Sequence, residues 1–192
     1  WYTKLLTQKA PALQSLDLAY HLRVLTSALA TKMLLLPQVK LATEIEDAPT
    51  EILGSTELVD AIVTNLIDNS IKSGFLEQLL EIRLTLRTYG KNAVITISDN
   101  GSGLPAEFSE KVFEPFFTLD ESHRSTGLGL TVVKLAAEQM GGSVLASFKD
   151  GEGSTISVTL PLDQRTILST SSPSSAIPDY FDRYSLIHIM LS

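Results

Sequence analysis

No cysteine occurs anywhere in this chain of 192 residues. Disulfide bonds and thiolate chemistry are therefore excluded, while the redox compartment is left open. No run of about 18 apolar residues is present, which argues against a transmembrane helix. No basic stretch leads into an apolar one, as a secretory signal would require. Positive charge is in deficit: 15 Lys and Arg stand against 22 Asp and Glu, for a formal net charge of −7. No nucleic-acid partner is expected from that balance, although it permits a local anion site. Trp1 rather than Met stands first. The expectation is a fragment whose longer parent carries any membrane or sensory portion upstream.

What is present suffices for a packed core. Hydrophobic residues make up 44% of the chain, and its length suggests one domain with appendages. Residues 13–36 space their apolar side chains helically and predict a helix ending before Pro37. "VKLATEI" alternates as a strand, and "EDAPTEILGS" reads as a loop. Ser55 or Thr56 is placed to cap a helix running to about Ser73. "EIRLTLRTY" and "AVITIS" alternate on either side of "GKN" and predict a hairpin. "EFSEKVFEPFF" predicts a short helix and an aromatic knot, and "LTVVKLAAEQM" a helix stopped by Gly141 and Gly142. "SVLASFKDGEGSTISVTL" predicts a second hairpin. After residue 162 the composition turns to Ser and Pro, then apolar again, and predicts a tail. The fold class expected is α+β: a two-layer sandwich of mixed, mostly antiparallel sheet with helices on one face.

Four segments carry possible chemistry. In "ELVDAIVTNLIDNSIKSG", at about 100° per residue, Asn65, Asn69 and Lys72 share a sector of roughly 60°. They border an apolar arc of Leu58, Val59, Ile62, Val63 and Leu66, so the amides sit at the edge of the buried face. Asn is a poor interior helix residue and costly to half-bury without partners. One such Asn would read as a solvated face; two with a Lys in register read as a site. In "ISDNGSGLP", Asp99 ends an alternating run and is followed by Gly101 and Gly103. A carboxylate there can accept a hydrogen bond from an exocyclic amine, as on adenine, and would repel the carbonyl of guanine. Alone, the same residues make a plain Asp-Asn-Gly turn. "EKVFEPFFT" offers Phe113, Phe116 and Phe117 as a core plug that anchors the polar loop. In "STGLGLTVVK", Gly127 and Gly129 precede a helix whose free N–H groups suit an anion, though no G-K-[ST] follows as in a P-loop.

In this order the four segments resemble the ATP-binding catalytic domain of sensor histidine kinases, in the wider family of gyrase, Hsp90 and MutL. "NLIDNSIK" looks like the N box, "DNGSG" and "GLGL" like the glycine boxes, and "VFEPFFT" like the F box. The resemblance implies a Bergerat-type fold and the cofactors ATP and Mg²⁺. It implies that Asn65, Asn69 and Lys72 form the catalytic set, with Asn69 holding the metal and Lys72 meeting phosphate. Asp99 would bind adenine in a pocket shaped by Gly101 and Gly103. Thr126, Gly127, Leu128, Gly129 and Leu130 would cradle phosphates and hinge a lid over residues 118–126. It further implies residues 1–37 as a linker helix region, 38–162 as the catalytic domain and 163–192 as a tail. The partners implied are a phosphoacceptor dimerisation domain, in cis or in trans, and a response regulator. The full-length protein would be a homodimer, and the implied location is cytoplasmic, with membrane anchorage only through upstream segments.

Departures matter too. Ser70 stands where Ala is usual and Ser125 where Gly is common, while His123 and Arg124 are placed to reach the γ-phosphate. His21 lacks the acidic residue and the Pro that follow an acceptor histidine, so the phosphoacceptor is expected outside this chain. The alternatives are an ATPase that switches conformation, an anti-sigma-type serine kinase, and a non-catalytic docking module. Hydrolytic relatives carry a Glu four residues before the N-box Asn, where this chain has Asn65.

Overall fold

The computed structural model describes residues 11–74, 78–118 and 126–165. Strand β1 (Gln14–Asp17) runs directly into helix α1 (Leu18–Met33). The Asp17 carboxylate accepts the Tyr20 N–H at 3.1 Å, satisfying a donor that a helix start leaves orphaned. The expected helix over residues 13–36 thus begins later than its spacing predicts. Gln14–Asp17 instead pair antiparallel with β3 (Glu51–Gly54), which lies inside the expected loop. The cause is long-range. Asp17 also accepts the Thr50 N–H at 3.2 Å, and Leu18 N–H meets the Thr50 carbonyl at 2.8 Å. A strand this short exists only through such a partner. Helix α1 then buries Leu18, Leu22, Leu25, Leu29 and Met33 on one stripe.

Strand β2 (Val39–Ile45) precedes β3, and helix α2 (Thr56–Lys72) follows it. Ser55 occupies the N-cap of α2 without a side-chain capping bond. Next come β4 (Leu80–Tyr89) and β5 (Asn92–Asp99), the expected hairpin. Where a short helix is expected in residues 107–117, there are two three-residue 3₁₀ turns, Ala106–Phe108 and Lys111–Phe113. Glu114 is extended, as a residue before proline prefers, and that ends the second turn. Helix α3 (Gly129–Gln139) follows and stops as expected, with the Gly142 N–H on the Ala137 carbonyl at 2.9 Å. Strands β6 (Ser143–Lys149) and β7 (Gly153–Pro161) form the second hairpin.

Five strands make one sheet in the order β2-β4-β5-β7-β6, parallel only between β2 and β4. Alternation divides its faces. Leu80, Ile82, Leu84 and Leu86 of β4 are buried with Ala93, Ile95 and Ile97 of β5 and Ile156, Val158 and Leu160 of β7. Helices α1, α2 and α3 supply the rest of that core, so the fold is the expected two-layer α+β sandwich. Each fully buried Leu or Ile contributes about 1.5–3 kcal/mol over an exposed one. The opposite face carries Glu81, Arg83 and Arg87, with Glu44 of β2 bridging both arginines.

One consequence of the alternation positions the site. Asp99 continues the inward series Ala93, Ile95, Ile97, and Ser154 continues Ile156, Val158, Leu160. Asp99 and Ser154 are also direct cross-strand partners. Two polar side chains therefore face the helical layer at the end where the core runs out. A second small cluster, Val112, Phe113 and Phe148 with Phe108, Phe117 and Leu130 packed on it, holds the connecting loop against β6 and α3. Among the described residues, no helix is long and apolar enough to cross a membrane.

Candidate functional site

A cavity of about 570 Å³ opens between α2, α3 and the loop after β5. That size suits a small organic ligand. Its α2 wall is formed by Asn65, Asp68, Asn69 and Lys72, on successive turns of one helix face. Asn65 donates Nδ2 to the Ala61 carbonyl at 2.7 Å. Its Oδ1 faces the start of α3: a Cβ added at Gly129 would lie 3.2 Å from it. The Asn69 side chain makes no hydrogen bond among the described residues, and its amide is open to a ligand. Lys72 Nζ lies 2.7 Å from Asp68 Oδ2, with the lysine side chain 39% exposed. The Asp68 side chain is less exposed, at 18%, but the lysine end of the pair is open to solvent, so an anion in the cavity can compete for it.

The facing wall is the start of α3. Gly127, Gly129 and Leu130 line the cavity there, with Thr126. Among the described residues no side-chain capping bond is made at this helix start, which lies at the positive end of the helix dipole and suits an anion. Gly127 has φ +65°, and a Cβ there would fall 2.5 Å from the Phe116 carbonyl carbon. The Phe116 N–H bonds the Gly127 carbonyl at 3.0 Å, which fastens the aromatic segment to the root of α3. Of the three phenylalanines, Phe113 is buried, Phe117 lines the cavity, and Phe116 is 69% exposed with φ +66°.

At the deep end lies Asp99. Its Oδ2 accepts from Ser70 Oγ at 2.7 Å and from Ser154 Oγ at 2.5 Å, and its Oδ1 accepts the Gly101 N–H at 2.9 Å. Asp99, Gly101 and Leu128 do not line the cavity, whereas Ser102, Gly103 and Ser154 do. The missing side chains of the two loop glycines make room for backbone. At Gly103, with φ +60°, a Cβ would sit 2.0 Å from the Lys149 carbonyl oxygen; at Gly101 it would sit 2.6 Å from that of Ser73. The loop is thus wedged between the end of α2 and the β6–β7 turn, with Ser102 N–H on Ser73 O at 2.8 Å and Gly151 N–H on Ser102 O at 2.7 Å.

Residues 54–164 match the family model described as histidine kinase-, DNA gyrase B-, and HSP90-like ATPase. The chain belongs to this ATPase family. It is similar to the sensor histidine kinase YcbM of Bacillus subtilis, 36% identical over 123 residues that cover 62% of this chain and 39% of that protein. It is also similar to the sensor-like histidine kinase SenX3 of Mycolicibacterium smegmatis, 33% identical over 60% of this chain and 31% of that protein. The chain spans well under half the length of these curated relatives. Among solved structures, the mycobacterial sensor histidine kinase MprB shares the fold, with a TM-score of 0.66 at 22% identity over 78% of this chain and 97% of that one. Full-length ShkA in complex with AMPPNP matches with a TM-score of 0.70 at 21% identity over 84% of this chain and 34% of that one.

As a member of this ATPase family the chain has a nucleotide-binding fold, and the cavity gathers eight of the eleven sequence-predicted residues: Asn65, Asn69, Lys72, Gly103, Thr126, Gly127, Gly129 and Leu130. Sequence reasoning passed over Asp68 and Ser154. Asp68 is one residue from Asn69 and within a turn of Lys72, so the helical wheel could have found it. Ser154 carries no local signal beyond its place in the inward series of β7. The segment with Ser125, His123 and Arg124 lies outside the described residues. His21 is 4% exposed, with Nε2 2.8 Å from Asp60 Oδ1 of α2, which removes it as a surface phosphoacceptor.

Proposed function

We propose that this chain is the ATP-binding catalytic portion of a two-component sensor histidine kinase. One observation carries the reading: Asn65, Asn69 and Lys72 face the uncapped start of α3 across a cavity whose far end is closed by a fixed carboxylate. Such a cavity is polarised. Its α2–α3 end offers N–H groups and a lysine to a triphosphate, and its Asp99 end offers acceptors to a base amine.

Mg²⁺ fits this donor set. Among the described residues no group of three or more His, Asp or Glu side chains could hold a metal. The open Asn69 amide oxygen is a single hard donor, suited to an ion that keeps waters and takes its other ligands from phosphate oxygens. When bound, such an ion neutralises charge on the phosphoryl group being transferred. Asn69 would hold it, Asn65 would support it, and Lys72, now paired with Asp68, would meet the phosphates. The glycines of the α3 root let the backbone approach the same anion.

The reading sends the γ-phosphoryl group to a histidine on a dimerisation domain outside this chain, and then to a response-regulator aspartate. The histidine nitrogen attacks phosphorus, the bond to the bridging oxygen breaks, and ADP leaves. In this scheme residues 38–162 are the catalytic domain. Residues 1–37 lead from the dimerisation domain, residues 163–192 are a tail, and the complete protein works as a homodimer. Direct hydrolysis is disfavoured because Asn65, tied to the Ala61 carbonyl, occupies the place where a base would be needed. The test is calorimetric titration of ATP into the purified chain with and without Mg²⁺, followed by transfer to the parent protein's separately produced acceptor domain. Mg²⁺-dependent binding and an acid-labile label on the acceptor are expected. Absence of ATP binding, or hydrolysis without transfer, would refute the proposal.

A further inference from the structure

Among the described residues that line the cavity, only Asp68 and Lys72 carry charge, and their charges cancel. The rest of the lining brings amides, hydroxyls, glycines and apolar groups. Lys72 Nζ lies 2.7 Å from Asp68 Oδ2, so the lysine is already answered by its neighbour one turn back. The acid precedes the base by four residues, the favourable order along a helix. The two ends of the pair differ. Lys72 is long and the more exposed, and can follow an anion; Asp68 is shorter, less exposed, and stays in the wall. Once Lys72 meets a phosphate, Asp68 faces the same ligand without its counter-ion. Like charges a few ångströms apart at a partly solvated site repel appreciably. Asn65 and Asn69, each within a turn of Asp68 on α2, carry no charge to offset this.

We infer that Asp68 is the specificity-determining residue that makes nucleotide binding depend on a divalent cation, by disfavouring the metal-free triphosphate. This inference rests on the ATP and Mg²⁺ reading above and deepens it. A metal-free triphosphate brings its full negative charge to a wall whose described side chains sum to zero. It must also break the pair of Lys72 with Asp68. The same triphosphate carrying a divalent cation brings much less charge, and Asp68 repels it less. The carboxylate thus acts as a charge filter beside the metal site, and it is not itself a ligand of the ion. The effect belongs to the charge of the side chain rather than to its shape.

The experiment is calorimetric titration of ATP, once with Mg²⁺ and once with EDTA, into the purified chain and into Asp68→Asn, Asp68→Glu and Glu81→Gln. Glu81 lies on the outer face of the sheet, paired with Lys40, so its replacement removes an equal charge away from the cavity. The unsubstituted chain is expected to bind ATP more tightly with Mg²⁺ than with EDTA. In Asp68→Asn the affinity in EDTA should rise about fivefold, the size expected of one charge at a partly solvated site, and the affinity with Mg²⁺ should rise less. The ratio between the two conditions therefore falls. Asp68→Glu, which keeps the charge, and Glu81→Gln should both keep the ratio of the unsubstituted chain. An unchanged ratio in Asp68→Asn, or an equal fall in Glu81→Gln, would overturn the inference. So would a fall caused by weaker binding with Mg²⁺, which would make Asp68 a ligand of the ion. A chain that binds ATP under neither condition would instead overturn the ATP reading.

Discussion

Ser70 Oγ stands 2.7 Å from Asp99 Oδ2, and this hydrogen bond joins the helix carrying Asn65 and Asn69 to the strand end that closes the cavity. Two walls of the site are thus tied together by a side chain that does not touch the cavity. Removing it tests the tie. Ser70→Ala leaves Asp99 with Ser154 and the Gly101 N–H, and should cost about 1 kcal/mol of stability. For a chain of this size the melting temperature should fall by about 2–4 °C. An unchanged melting temperature would mean that the bond contributes nothing net.

Asn69 should behave in the opposite way. Its side chain has no hydrogen-bond partner among the described residues, so Asn69→Ala should leave the unfolding free energy of the ligand-free chain within about 0.5 kcal/mol of the original. ATP titrations should lose the difference between Mg²⁺ and EDTA. Retained Mg²⁺ dependence would take the metal away from Asn69.

At Gly103 the obstacle is backbone. A Cβ would lie 2.0 Å from the Lys149 carbonyl oxygen, at a φ of +60° that disfavours side chains. Gly103→Ala should therefore destabilise the chain by about 3 kcal/mol or more, through both displaced backbone and strain. Chemical denaturation followed by circular dichroism reads this directly. A loss below about 1 kcal/mol would show that the loop shifts freely.

The buried pair of His21 and Asp60, 2.8 Å apart, ties α1 to α2. Asp60→Ala removes one partner and should cost about 1–3 kcal/mol. Replacing both, as His21→Leu with Asp60→Leu, should recover most of that loss, because no polar group of the pair is then left unmatched. With γ-labelled ATP, neither the original chain nor His21→Gln should become labelled at position 21. Label on His21 would show that α1 opens far enough to expose it.

Much of this architecture was legible in the residues. Strict alternation in β4 and β5, helical spacing in α2 and the stop after α3 each follow from local sterics. The amide register of Asn65 and Asn69 followed from helix geometry alone. The pairing of Gln14–Asp17 with Glu51–Gly54 was not legible, because neither strand is long enough to declare itself and each depends on a partner far along the chain. The part of Ser154 in the site was hidden for the same reason: its meaning lies in the residue opposite it across two strands.

By itself, then, the sequence determined the order of elements, the inward faces of the long strands and the polar stripe on α2, since periodicity is a property of neighbours. Only the tertiary structure decided what each polar group meets. It turned the hydroxyls of Ser70 and Ser154 onto one carboxylate oxygen of Asp99, and used the glycine loop to let backbone pass backbone. Hydrogen bonds and close packing join groups across dozens of residues, and no local pattern records which partner the chain will bring.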